Sequence, residues 1–252
     1  MLTLISCAKT MTARSNVRTP FVSVPCFEDE AGKTSRHLAQ FSAEELKNML
    51  RVNSKLAAEN FFRYRDFFSE DNRPLPALLA YTGIVFKRIC PKDFTDEDFL
   101  FAQQHLLVTS FLYGLLRPLD GIRNYRLEGN VRLPEYGGSM FDHWKPLLTD
   151  FFIGRIKEQG GTLVNLASGE MKALFDWEKV CREVRVITPE FYVVKNGKPS
   201  TVVVYTKMCR GEMTRYILKS RTDSPDGLKR FGWEGFAYSE ELSAPDGPVF
   251  LL

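Results

Sequence analysis

No run of apolar residues in this chain approaches the ~18–20 needed to cross a bilayer as a helix, so no membrane partner is expected. Nor does a basic segment precede the short apolar start. Met1 to Lys9 reads as a buried strand, not a signal peptide, and a cytoplasmic location is expected. Cysteine is sparse and scattered: Cys7, Cys26, Cys90, Cys181 and Cys209 never form a C-x-x-C pair, which argues against a disulfide framework and fits reduced thiols. The three histidines, His37, His105 and His143, lack the spacing of a zinc site. Internal repeats, low-complexity tracts and Ser/Pro-rich linkers are missing too. Neither a metal nor a cofactor is expected.

What is present is an ordinary globular composition, 44% hydrophobic and 26% charged over 252 residues, enough to bury a core without staples. One domain spanning residues 1–252 is expected. Ser42 with Glu45, Thr95 with Asp98 and Ser139 with Asp142 are capping boxes that open helices, the last running to Gly160-Gly161. A further helix is expected over Lys55–Phe68, and Glu212–Lys219 reads as the final one. Strands are expected at Leu2–Ala8, Thr162–Asn165, Val184–Ile187, Phe191–Val194 and Thr201–Tyr205. The last two flank Asn196-Gly197, a strong hairpin signal. The expected fold is α/β, with the first strand joining the later ones in one mixed sheet flanked by helices.

The net charge of +3 is too mild to identify a partner, but its distribution says more. Between Lys207 and Arg230 lie seven basic residues and three acidic ones, an excess of four that exceeds the charge of the whole chain. A local basic face is the footprint of a phosphate-bearing partner, and a solvated helix face has the same signature.

Five segments concentrate polar groups. At the end of the first strand, Ser6, Lys9 and Thr10 offer hydroxyls and an ammonium for phosphate, without the glycines of a P-loop. Around Asn53 and Lys55 two short helices meet, with Arg63 further along the second. Such a hairpin can present N–H groups to a phosphate, yet Ala57 and Ala58 stand where a hairpin glycine is expected. Gln103, Gln104 and His105, followed by Arg117, Asp120, Tyr125, Arg126 and Glu128, form a third array. It reads either as a structural ion network or as a slot in which Glu128 fixes Arg126. Asn165, Ser168 and Glu170 follow a strand, a frequent position for sites in sheet proteins. Lys207, Arg210 and Arg215 surround Gly211, whose missing side chain permits close backbone approach to a partner.

These segments, in this order, resemble the YaaA family of bacterial peroxide stress proteins over nearly the whole chain, from Leu2 to about Tyr238. The strongest match is Phe101–Leu106, Leu112–Gly114, Leu116–Asp120 and Tyr125–Glu128, followed by Asn165–Ser168 and the Lys207-x-x-Arg210-Gly211-x-Met213-x-Arg215 framework. Cys7 stands where the family has proline, Thr12 where aspartate is common, Met171 where tyrosine is usual and Cys209 where alanine is usual. The resemblance implies protection against hydrogen peroxide, limitation of free iron, a helix-hairpin-helix element and DNA binding through a positive cleft, in an unusual single-domain α/β fold. It brings no established reaction.

Two classes of function follow. The first is a DNA-binding stress protein, contacting duplex or branched DNA through Lys9, Thr10, Asn53, Lys55, Arg63, Arg117, Arg126, Lys207, Arg210 and Arg215, with Ser6, Asp120, Tyr125, Asn165 and Ser168 lining the cleft. DNA-repair proteins are further candidate partners. The second is a DNA-processing enzyme, glycosylase- or lyase-like, with Lys9 as a candidate nucleophile and Glu128 or Glu170 as acid/base. The density of mixed carboxylates and amides, beyond what phosphate binding needs, keeps the second open.

Overall fold

A computed structural model describes residues 1–252. At its centre lies the first strand, Leu2–Ile5, hydrogen-bonded in parallel to Leu106–Ser110 on one side and Thr162–Asn165 on the other. Arg185–Ile187 extends the sheet in parallel beyond Thr162–Asn165, and Gly114–Leu116 closes the opposite edge antiparallel. Every residue of Leu2–Ile5 and of Leu106–Ser110 is buried. That pattern suits a parallel strand covered on both faces, and it explains why these segments carry apolar residues at consecutive positions, with only the small hydroxyls Thr3, Thr109 and Ser110 buried among them.

The helices start where the sequence places them. Ser42, Thr95 and Ser139 each accept a hydrogen bond from the N–H of the third helical residue, while the Glu45, Asp98 and Asp142 carboxylates accept one from the cap's own N–H, so all three capping boxes form. The helix from Met140 buries Trp144, Leu148 and Phe152, and ends at Glu158 before Gly160 and Gly161, both at positive φ. Trp144 Nε1 donates to the Phe111 carbonyl at 2.8 Å, anchoring this helix beneath the sheet's antiparallel edge.

Four expectations need correction. The first strand stops at Ile5, and Ser6–Thr10 leaves it as a loop. Of the later strands, Thr162–Asn165 and Arg185–Ile187 join its sheet, but those after Ile187 do not. Glu190–Lys195 and Lys198–Ser200 form a hairpin, with Asn196 and Gly197 both at positive φ, inside a separate four-stranded sheet completed by Ala237–Ala244 and Gly247–Leu251. Phe191 stacks on Phe250 there, ring centroids 5.5 Å apart, which ties the hairpin to the C-terminal strands. The β-branched run at Thr201–Tyr205 is not a strand: an eighteen-residue helix, Val203–Ser220, absorbs it. Tertiary packing overrides β propensity here, because Cys209, Met213 and Ile217 are buried from the helix's inner side. Finally, Ala43–Leu50 and Ser54–Arg65 do form a helical hairpin, but its turn is Arg51–Asn53. Ala57 lies inside the second helix and is buried.

Both sheets share one contiguous set of buried apolar side chains that runs from Met1 to Phe250. The architecture is compact α/β with mixed sheets, and no helix is long and apolar enough to cross a membrane.

Candidate functional site

In the central sheet the next strand after Leu2–Ile5 lies on one side, and the next after its neighbour Thr162–Asn165 lies on the other. The loops leaving two such strands must part, and a crevice opens between them at their carboxyl ends, where open α/β sheets commonly bind ligands. Ser6 and Ser168 meet there: Ser6 Oγ accepts from the Ser168 N–H at 2.8 Å and donates to Ser168 Oγ at 3.2 Å. Asn165 sits just below, buried, its Oδ1 accepting from the Ala167 N–H at 3.2 Å. It shapes the turn and does not line the crevice.

The crevice is a cavity of about 440 Å³, within the roughly 300–1,000 Å³ of small-ligand sites. The first loop contributes Ser6 through Thr10, the second Leu166, Ser168, Glu170 and Met171, and the segment 125–128 supplies Tyr125, Arg126 and Glu128. The long helix adds Lys207 and Arg210, and Gly83 through Phe86 close another wall. Half of the lining residues are hydrophobic. Gly83 is required because a Cβ there would stand 2.8 Å from the Ala8 Cβ.

The polar wall is ordered. Glu128 bridges two cations, Lys9 Nζ at 2.7 Å and Arg126 Nη2 at 2.6 Å. Arg126 Nη1 also donates to the Lys9 carbonyl at 3.2 Å, so the loop after the first strand is tied to the 125–128 segment across 117 residues of sequence. The Arg126 carbonyl is held in turn by the buried Tyr64 hydroxyl. Below the wall runs a buried hydroxyl chain, Ser110 Oγ to Tyr125 Oη to Tyr81 Oη, each step 2.7 Å. Burial pushes both phenols well above their ordinary range, so they serve as neutral hydrogen-bonding groups. Burial likewise pushes the Cys7 thiol up to about 12. Cys7 is no ready thiolate for peroxide, even though it faces the cavity.

Arg210 stands apart. Its Nε is buried without a hydrogen-bond partner, and burial alone lowers its pKa, with no carboxylate opposing the shift. Arg126 Nε is buried and unpartnered as well. Buried donors of this kind cost about 1–3 kcal/mol each unless something meets them. Both arginines belong to the lining of the cavity.

The structure therefore brings Ser6, Lys9, Thr10, Tyr125, Arg126, Glu128, Ser168, Glu170, Lys207 and Arg210 to one cavity. It leaves others outside. Arg117 and Asp120 form a closed ion pair at 2.9 Å, in which the fully buried carboxylate also accepts from Ser23 Oγ at 2.7 Å. This is the structural network, not the slot, and Gln103 reinforces it by bonding Ser23 Oγ and the Leu119 N–H. Asn53 spends its side chain capping its own helix through the Leu56 N–H, and Arg63 pairs with Glu59. Arg215 donates to the Ile89 and Cys90 carbonyls and to Asp93. It fastens the helix Ile84–Ile89, which bears part of the cavity wall. Gly211 does permit a close backbone approach, but to that same helix: a Cβ on it would lie 2.4 Å from the Val85 carbonyl oxygen. The Gly83–Phe86 wall went unnoticed in the sequence, where only a glycine before an apolar triplet marks it.

Fold and site together define an α/β protein with an electropositive, half-apolar cleft at the carboxyl ends of a parallel sheet. The chain belongs to the YaaA family: the family model described as "Peroxide stress protein YaaA" matches residues 1–242. It is similar to a UPF0246 protein of Phocaeicola vulgatus, 64% identical over 253 residues that cover all of this chain and 99% of the relative. A UPF0246 protein of Bacteroides fragilis is 62% identical over 99% of this chain and 98% of its own length. One from Porphyromonas gingivalis is 44% identical with both chains fully covered.

Proposed function

We propose that this protein acts in the response to peroxide stress by binding DNA, duplex or branched, through the cleft. The family name supports the stress role. The observation that carries the binding role is Arg210, a half-buried guanidinium with no ion-pair partner and an unpartnered Nε, beside Lys207 in a cavity already holding Lys9 and Arg126. Phosphates are the anions such a wall suits, because guanidinium and ammonium donors bind them by charge and geometry together. Lys55, exposed on the helical hairpin, does not line the cavity and is left out of the proposed contact. The protein would act in the cytoplasm and need no cofactor.

Affinity for duplex and branched DNA, measured by fluorescence anisotropy, should fall linearly with salt on logarithmic axes and depend little on sequence. No binding at low salt, or a flat plot, refutes the reading. A DNA-processing enzyme is the second reading, favoured by one feature: a cavity of about 440 Å³ that is half apolar is more than a backbone groove requires, and one extruded base would need such a pocket. An amine nucleophile would have to free Lys9 from Glu128, which holds it at 2.7 Å. Borohydride should therefore trap no adduct with abasic or oxidised DNA, and base-release assays should be blank. A trapped adduct lost in Lys9→Ala would establish the enzyme instead.

A further inference from the structure

The charge of the cavity says which phosphate it takes. Its ionisable lining is Lys9, Arg126, Lys207 and Arg210 against Glu128 and Glu170, an excess of two positive charges. An internal phosphodiester of a nucleic-acid strand brings one negative charge. A terminal phosphomonoester brings close to two at neutral pH. Glu128 offsets one of the two cations it bridges, Lys9 and Arg126, which leaves one positive charge there; Arg210 and Lys207, three residues apart on one helix and unpaired, supply the other against Glu170. Two further donors point to the same group. The Arg126 Nε–H is unpartnered, and Ser168 Oγ accepts from Ser6 Oγ, which leaves its own proton free to donate. The rest of the lining is different in kind: Ile84, Val85, Phe111, Leu127 and Met171 are apolar, suited to a flat, weakly polar body attached to the phosphate.

Building on the DNA-binding reading, we infer that the cleft is a site for a nucleoside phosphomonoester, its dianionic phosphate on Arg210, Lys207, Arg126 Nε and Ser168 and its base against the Ile84–Val85 and Met171 wall. A phosphorylated strand end and a free nucleotide share this chemistry. Either brings a dianionic phosphate and a single base to the cavity together, as an internal phosphodiester does not.

Titration calorimetry and thermal shift with dAMP, inorganic phosphate and deoxyadenosine test it directly. dAMP should bind and raise the melting temperature, inorganic phosphate should bind more weakly, and deoxyadenosine should do neither. Arg210→Gln should weaken dAMP about 10- to 100-fold, the loss of a charge-assisted contact. The same substitution should raise the melting temperature of the ligand-free protein, since it removes a half-buried charge that has no partner. Should Arg210→Gln fail to fold, Lys207→Gln carries the same affinity test. Competition by 5′- or 3′-phosphorylated duplexes over hydroxyl-ended ones identifies strand ends as the source, whereas competition by dAMP alone identifies a free nucleotide. Equal binding of dAMP and deoxyadenosine, no binding of dAMP, or full dAMP affinity in both variants overturns the inference. If hydroxyl-ended duplex still binds with a salt slope in that event, the DNA reading survives it. If that duplex does not bind either, both fall.

Discussion

Gly211→Ala probes the joint on which the cleft depends. The helix Val203–Ser220 crosses Ile84–Ile89 so closely that a Cβ at position 211 would stand 2.4 Å from the Val85 carbonyl oxygen and 2.6 Å from the Arg88 Cβ. Ordinary contacts begin near 3.4 Å, so the helices must part by about 1 Å or the backbone must bend. Overpacking of this kind costs about 1–3 kcal/mol. The clash is with a helical carbonyl rather than a flexible side chain, which places it at about 3. Alanine is about 1 kcal/mol better than glycine within a helix, leaving a net loss of about 2 kcal/mol. Gly154→Ala, in the helix Met140–Glu158, is the control, because nothing lies within 4 Å of its added Cβ. It should gain about 1 kcal/mol. Urea denaturation measures both. Because Lys207 and Arg210 ride on the displaced helix while Gly83–Phe86 belong to the other, Gly211→Ala should also weaken DNA binding. A Gly211→Ala protein as stable as Gly154→Ala would refute the packing argument.

Three other outcomes are expected. Burial opposes ionisation of Asp98, yet hydrogen bonds from Lys219, the Thr95 N–H and Arg221 outweigh it and hold the carboxyl at about 2, below its ordinary 3.8. Its stabilisation, about 2 kcal/mol at 1.4 kcal/mol per pH unit, is present in full above pH ~4 and is lost as pH falls toward 2; Asp98→Asn should remove it at neutral pH and flatten acid unfolding across that window. In a thiol titration of the native protein, exposed Cys26, Cys90 and Cys181 should react first, with Cys7 and buried Cys209, both pushed up to about 12 by burial, slow until urea is added. Arg126→Ala should leave Glu128 with Lys9 alone and loosen the loop Ser6–Thr10, seen as faster amide exchange there than in Leu2–Ile5.

Local chemistry was legible in the sequence and long-range choice was not. The three capping boxes and the Asn196-Gly197 turn formed as read because each is decided within four residues. The run Thr201–Tyr205 misled because its β-branched character is a preference, whereas the burial of Cys209 and Met213 and the close approach of Gly211 to Ile84–Ile89 are tertiary facts. The strands Ala237–Ala244 and Gly247–Leu251 were readable in principle, since Asp246-Gly247 is a turn signal of the same kind as Asn196-Gly197. Of the polar segments, those leaving the ends of parallel strands converged, for topology gathers strand ends on one side of a sheet. Arg117 and Asp120 did not, because an arginine and a carboxylate three residues apart can satisfy each other, and no pattern in the chain says whether they will.

The central claim is that the cleft, rather than the helical hairpin, holds the DNA backbone. Duplex affinity across a salt series for wild type, Lys207→Ala and Lys55→Ala tests it most directly. Lys207→Ala should weaken binding to all sequences alike and make the logarithmic salt slope shallower by about one, while Lys55→Ala should change neither. An unaltered slope in Lys207→Ala with a reduced one in Lys55→Ala would contradict the account.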